Sequence, residues 1–303
     1  MRIRFGFIAI AIILIGSACS NYTEELWINQ DGTGSAQVTR DMGALLPLLQ
    51  LGLMSDDDNT NKNPNNPMEQ GKTLLKSVLE RGKIDTTIVV ADILQSALKK
   101  EGENFTMPML KQKLDEDSHT DKSQKDAIWK MVQEVVTMRL RLQMDTENDL
   151  LRITTSQQFT DINHRLLSNL PGLLKLAGQL PIADSINADR LAAVESAAQS
   201  VPNYTFTDNK LSLRRQGLDL NTGDPQAAQG MEMAKGFMSD SKYTMIIHLP
   251  GKVKSVSVPG ATYKKNTVTW EVPMTDLLDA KKHLDIDIDY KGKRKYRTIA
   301  PTW

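Results

Sequence analysis

The sequence predicts an α+β fold, an antiparallel or mixed sheet built from hairpins with interleaved helices packed on it. Three observations lead there. Alternating apolar and polar runs come in pairs joined by Gly, Asn and Asp turns near residues 22, 136 and 203. Segments of helical spacing, rich in good helix formers, follow these pairs. From residue 242 to residue 290 the chain is almost continuously strand-like. Hairpin followed by helix thus recurs, without a clean sequence repeat.

The chain begins with Arg2 and Arg4, an unbroken apolar run over residues 5–15, and the small residues Gly16, Ser17 and Ala18. These are the three parts of a signal peptide, residues 1–18. Eleven apolar residues fall short of the roughly 20 that span a bilayer, so the run reads as a cleaved signal and not an anchor helix. Cys19 follows at once and is the single cysteine of the chain. The stretch IGSACS resembles the lipobox of bacterial lipoproteins. It has the looser Bacteroidetes-type form, because Gly16 stands where Leu is usual and Ile15 lies one place further out. The resemblance implies that Cys19 is acylated on sulfur, with chains such as palmitate, and becomes the mature N-terminus. A thioether cannot enter the unwanted disulfides that a lone secreted thiol invites. Each buried methylene contributes about 0.8 kcal/mol, and two or three chains give lasting attachment. The expected partner is therefore a membrane, reached through the lipid anchor. Ser20 is not the Asp that holds such proteins at the inner membrane, and Glu24-Glu25 is similar to acidic surface-export signals. The expected location is the cell envelope, at the outer membrane.

Without residues 1–18, 285 residues remain, enough for one large domain. Loss of Arg2 and Arg4 moves the formal charge from zero to minus 2, which gives no reason to expect nucleic acid. With Cys19 acylated, no disulfide is possible, so an apolar core of Leu, Ile, Val, Ala and Met must hold the fold. Residues 19–54 form the anchored N-terminus and first hairpin, 55–68 a flexible loop, and 69–303 the rest of one α+β domain.

In chain order, Tyr22–Asn29 and Ser35–Asp41 alternate around the Gln30-Asp31-Gly32-Thr33-Gly34 turn, predicting a hairpin. Part of a calcium-loop spacing is present in NQDG, but the remaining acidic ligands are not, so a turn is favoured. Residues 45–54 are Leu-rich and broken by Pro and Gly. The Asp, Asn and Pro of 55–67 cannot build a core. A helix is expected over 69–80, a strand over Lys83–Val90, a short helix over 92–99, and a polar loop or solvated helix end over 111–126. Apolar residues at 136, 138, 140, 142 and 144 predict a strand, turned by Thr146-Glu147-Asn148-Asp149 into Leu150–Gln157. Helices are expected over 160–179, with Asp161 as cap and Pro171 as kink, then over 183–199 and 224–238. Between the last two, Asn203–Arg215 is a hairpin around Asp208-Asn209. Strands YTMIIHL, KVKSVSV, NTVTWEV and HLDIDIDY close the chain.

No catalytic constellation stands out, and no cofactor is expected. His119, His164, His248 and His283 lack metal-ligand spacing. His248, inside an apolar strand, reads as a hydrogen-bonded core residue. Asp285, Asp287 and Asp289 alternate with Leu284, Ile286 and Ile288, which puts three carboxylates on one strand face where a cation could bind. A solvated face balanced by lysines of a neighbour such as KVKSV is the favoured reading. The basic stretch 291–297 could touch anionic lipid or glycan.

The stretch Leu249–Val272, LPGKVKSVSVPGATYKKNTVTWEV, resembles LppM-like lipoproteins: a strand ending in Pro-Gly-Lys-Val, a turn, then Asn-Thr-Val-Thr-Trp. The opening LWINQDGTGSAQVTRDM is similar to the first hairpin of the same proteins. Asp85-Thr86-Thr87 and Asp184-Ser185-Ile186 match a short O-glycosylation pattern of Bacteroidetes-type envelope proteins. The resemblance implies a lipid-anchored envelope protein and supplies no catalytic residues. The expected function is non-enzymatic binding or scaffolding of another envelope protein or a lipid. A carrier or sensor of a hydrophobic ligand is the alternative, with a pocket lined from 45–54, 166–180 and 231–238, and an envelope hydrolase comes third.

Overall fold

The computed structural model describes residues 21–43, 46, 81–92, 107–116, 121–164, 202–217, 239–277, 279 and 281–292. The first hairpin forms as its turn chemistry requires, from β1 (Asn21–Ile28) and β2 (Gly34–Asp41). Next come β3 (Lys83–Val89), α1 (Met107–Glu116), α2 (Lys122–Val136), β4 (Arg139–Asp145) and β5 (Leu150–Phe159). A second tight hairpin is β6 (Asn203–Thr207) and β7 (Lys210–Arg214). The C-terminal part holds β8 (Lys242–His248), β9 (Lys252–Val256), β10 (Thr262–Lys264), β11 (Thr267–Pro273), α3 (Met274–Leu277) and β12 (Ile286–Lys291).

Eight strands make a mixed sheet in the order β10-β11-β8-β1-β2-β5-β4-β3, and four make a second sheet, β6-β7-β12-β9. Every pairing is antiparallel except β1 with β8, which run parallel from Tyr22 opposite Tyr243 to Trp27 opposite His248. Period-two alternation selects the face that meets the second sheet. Leu26 and Ile28 of β1, Tyr243, Met245 and Ile247 of β8, and Val268 and Trp270 of β11 are buried there. Leu211, Leu213, Ile286, Ile288 and Tyr290 of the smaller sheet join the same apolar cluster. Burying each such side chain contributes about 2 kcal/mol.

The described residues are dominated by sheet, so the balanced α+β expectation is corrected toward two layered sheets with few helices. Of the two readings left open for 111–126, a polar loop and a solvated helix end, the structure takes the helical one. Residues Met107–Glu116 and from Lys122 onward are helical, and their polar side chains make exposed helix faces. Lys111 pairs with Asp115 at 3.0 Å, Gln112 with Glu116 at 2.7 Å, and Lys125 Nζ donates to the Asp115 carbonyl at 2.6 Å. A second correction moves the start of the strand expected at residue 136. The helical spacing of Ile128, Val132, Val135 and Val136 carries α2 through Val136, and pairing starts at Arg139. Thr137 ends the helix, its Oγ1 donating to the Glu134 carbonyl at 2.7 Å. Of the helix expected at 160–179, a 3-10 turn over Ile162–His164 is described, with Asp161 accepting from the Asn163 N–H at 2.9 Å. The signal peptide, Cys19, the segments 45–54 (Leu46 apart) and 55–68, the helices expected at 69–80, 183–199 and 224–238, nearly all of 92–99, and the tail from 293 lie outside the described residues.

Candidate functional site

Three groups of polar side chains are set by this framework. The first lies at the β1–β2 turn, the end of the large sheet remote from Asn21. There the Asn29 N–H donates to the Thr33 carbonyl at 2.8 Å, and Gly32 supplies φ +83°. Asp31 accepts from the Thr33 hydroxyl at 2.7 Å and the Thr33 N–H at 3.0 Å, and the hydroxyl bond first of all holds its carboxyl below the usual range. The Ile162 N–H donates to the Gly32 carbonyl at 2.9 Å, and the Phe206 N–H to Asn163 Oδ1 at 2.6 Å, which fastens β6 to this turn.

The register aligns a row across the outward face at this end. Thr267 lies opposite His248, His248 opposite Trp27, Trp27 opposite Ser35, and Ser35 opposite Gln158. The Gln158 N–H then donates to Thr137 Oγ1 at 2.9 Å. His248 is hydrogen-bonded as expected, with Nε2 2.7 Å from Glu25 Oε1 and Nδ1 3.0 Å from Thr267 Oγ1. It does not point into the core, however. Alternation sends Tyr243, Met245 and Ile247 inward and His248 outward, where it stacks on Trp27 with ring centroids 5.2 Å apart and planes 10° from parallel. Beside Gln158 the row opens into a groove of about 450 Å³ between the β1–β2 turn, the C-terminal end of α2 and the end of β5. Its polar lining comprises the amides of Asn29, Gln133 and Gln158, the hydroxyls of Thr33, Thr137 and Thr160, and Glu134. Glu134 is buried and accepts the Thr160 N–H at 3.3 Å.

The second group sits inside, between the sheets near the N-terminal end of β1. Glu24 is 3% exposed and accepts from Tyr204 Oη at 3.1 Å and Tyr243 Oη at 3.0 Å. Arg215 lies over the Tyr243 ring at 5.0 Å, with Nε and Nη1 closed off from solvent. Burial, and then the Glu24 charge, push the Tyr243 phenol well up. Burial alone would weaken the Arg215 cation, but Tyr243, Tyr22 and Glu24 hold its pKa above the usual value.

The third group is the aspartate face. Asp287 accepts from Ser212 Oγ at 2.6 Å and from Arg214 Nη2 at 2.9 Å, with Lys210 at 3.5 Å. Asp285 lies 3.8 Å from Arg214 Nε, and Asp289 accepts from Ser255 Oγ at 2.8 Å. The balancing cations therefore come from β7, not from the lysines of KVKSV. The register puts Ser255 of β9 opposite Asp289 and Ser212 of β7 opposite Asp287. Among the described residues no three His, Cys, Asp or Glu side chains gather as a metal site.

The Ser212 hydrogen bond, then Arg214, depress the folded-state pKa of Asp287 below 3.8. A depressed carboxylate contributes stability above its unfolded pKa and loses it as pH falls through the folded value. Asp287→Asn should therefore lower stability by about 1 kcal/mol near pH 7. The gap from the parent chain should stay level down to about pH 5 and close below about pH 3.8, as read by urea denaturation at stepped pH. A pH-independent gap would mean that the charge of Asp287 is not involved.

Sequence reasoning did not find Glu24, Trp27 or the groove. Glu24 had a signal, since a carboxylate falls in register with Tyr22, Leu26 and Ile28 on the inward face. The groove had none, being assembled from three elements far apart in the chain. His283 forms an isolated bridge with Gln216, and the side chains of His119 and His164 lie outside the described residues. So do residues 166–180 and 231–238, expected to line a carrier pocket. Among the described residues no helix is long and apolar enough to cross a membrane.

No family model matches the chain, and no curated protein matches it. Among solved structures it is similar to the folded domain of LppM from Mycobacterium tuberculosis, with a TM-score of 0.30 at 10% identity over 91% of each chain.

Proposed function

We propose that this chain is a lipid-anchored protein of the cell envelope, held at the outer membrane through Cys19, and that its folded part binds or scaffolds another envelope component without catalysing a reaction. The observation that carries the reading is the place of the single cysteine. Cys19 follows a signal-like segment and precedes the first residue of β1 by two positions. Two residues reach at most about 7 Å, so an acylated Cys19 joins the bilayer to a central strand of the large sheet without a linker. In that attachment the β1–β2 turn, with the groove beside it, stands at the far end of the strands from the membrane.

Intact-mass spectrometry of the detergent-extracted mature protein tests the reading. The expected chain starts at residue 19 and carries the added mass of a diacylglyceryl group. Cys19→Ala should move the protein from the membrane fraction to the soluble fraction. A wild-type chain that is unmodified and soluble would overturn the anchor.

A further inference from the structure

We infer that the groove beside the β1–β2 turn is a binding site for a neutral, hydroxyl-rich ligand, a saccharide chain, that extends from the groove along the row toward Trp27. The inference rests on the binding role proposed above and names its ligand class. The lining decides the chemistry. Side-chain amides and hydroxyls each donate and accept, as sugar hydroxyls do; the Thr33 and Thr137 hydroxyls have already given their protons to Asp31 and the Glu134 carbonyl, so the amides of Gln133 and Gln158 and the Thr160 hydroxyl carry most of the bonding capacity of the lining. Among the described residues no Lys or Arg lines it, so a phosphate, sulfate or carboxylate would enter without a counter-charge from them and beside Glu134. An acyl chain would fit no better. Val136 and Phe159 line the groove as well, but an acyl chain lying on them would strip water from the amides of Gln133 and Gln158 and from the Thr160 hydroxyl and return no hydrogen bond, at about 1–3 kcal/mol for each group left unsatisfied.

Size and rigidity agree with that chemistry. About 450 Å³ lies within the span of small-molecule sites, roughly 300–1,000 Å³. Thr137 is held by both the Glu134 carbonyl and the Gln158 N–H, and Glu134 by the Thr160 N–H, so the groove wall is ordered before a ligand arrives. Trp27 lies two strands from Gln158 along the row, about 10 Å at ordinary strand spacing. Its ring, backed by His248 at 5.2 Å, offers a flat apolar platform for the C–H face of a sugar ring, and Glu25 and Thr267 lie beyond it on His248. Ser35, which separates Gln158 from Trp27 in the row, is a small residue 3% exposed, so a ligand longer than the groove that extends along the row passes over it before it meets the aromatic ring.

Calorimetric titration of the full mature chain in detergent tests this, with maltohexaose and chitohexaose as neutral probes and a heparin oligosaccharide as the anionic one. The Cys19→Ala chain is titrated in parallel. At least one neutral probe should bind. Gln133→Ala and Gln158→Ala alter exposed side chains and should each weaken it about tenfold, the loss of one or two hydrogen bonds. Gln143→Ala, outside the groove, should leave it unchanged. Absence of binding by both neutral probes, binding of heparin alone, or binding that survives both groove variants would each overturn the inference. Lipid anchoring is read separately. A Cys19→Ala chain that binds as the parent does keeps the site whether or not the anchor is real, and a lipidated chain that binds neither neutral probe removes the site and leaves the anchor.

Discussion

Glu24→Ala is expected to lower the unfolding free energy by about 4 kcal/mol, the order found when one partner of a buried charged group is removed. The reason is what the carboxylate leaves behind. Tyr204 and Tyr243 both donate to it from fully buried positions, 2% and 1% exposed. Without it, two buried phenol hydroxyls lose the acceptor they share, at about 1–3 kcal/mol each. Arg215 loses a negative neighbour as well. Glu24→Gln keeps one acceptor oxygen and the volume but not the charge, so it should cost about half as much. Urea denaturation of both variants, with the Tyr204→Phe and Tyr243→Phe double variant beside them, separates charge from hydrogen bonding. A loss below about 1 kcal/mol for Glu24→Ala would show that the carboxylate is not the shared acceptor of the two tyrosines.

The second large effect is expected at Gly34, for steric reasons. A Cβ there would run into the Trp27 carbonyl oxygen and stand 2.6 Å from the Phe159 ring. Neither obstacle is a flexible side-chain end. The carbonyl belongs to β1, and Phe159 is 2% exposed in the core. The strand cannot retreat without breaking its register with Ile28 on one side and Phe159 on the other. Gly34→Val should therefore cost about 3 kcal/mol or more and distort the groove that Gly34 lines. Thermal unfolding of Gly34→Val against Gly32→Asn gives the contrast. Position 32 has φ +83°, its Cβ would approach nothing closer than 3.6 Å, and Asn tolerates that backbone. A Gly34→Val chain as stable as the parent would contradict the close approach of β1 and β2.

The hairpins were legible in the sequence because each is decided within a few residues. Gln30-Asp31-Gly32 and Asp208-Asn209 fix their own turns, and the flanking alternation fixes which side chains share a face. Two kinds of information were not local. In YTMIIHL alternation sets His248 on one face with Thr244 and Ile246, opposite Tyr243, Met245 and Ile247, but Ile246 leaves both faces partly apolar, so which face meets the second sheet is a tertiary fact. The aspartate face was read correctly as a face, but its cations were assigned to the wrong neighbour, since the placing of β12 between β7 and β9 is a tertiary fact. Residues 111–126 leave loop and solvated helix end open for another reason. Their polarity resembles a loop, while isolated i to i+4 pairs and the apolar spacing beyond Ala127 support helix.

The parallel pairing of β1 with β8 carries a kinetic consequence. Tyr22 and Tyr243 are partners across a separation of 221 positions, so the centre of the large sheet is a contact of very high sequence separation, of the kind that slows folding. β1 is made first and gains β2 almost at once, but its other edge waits for nearly the whole chain. Any chain interrupted before residue 242 presents β1 as an open strand edge bearing Leu26 and Ile28, a template for pairing with other chains. Truncation from the C-terminus should therefore convert the protein from a folded species to an aggregating one abruptly, at the loss of β8, and not in proportion to the residues removed.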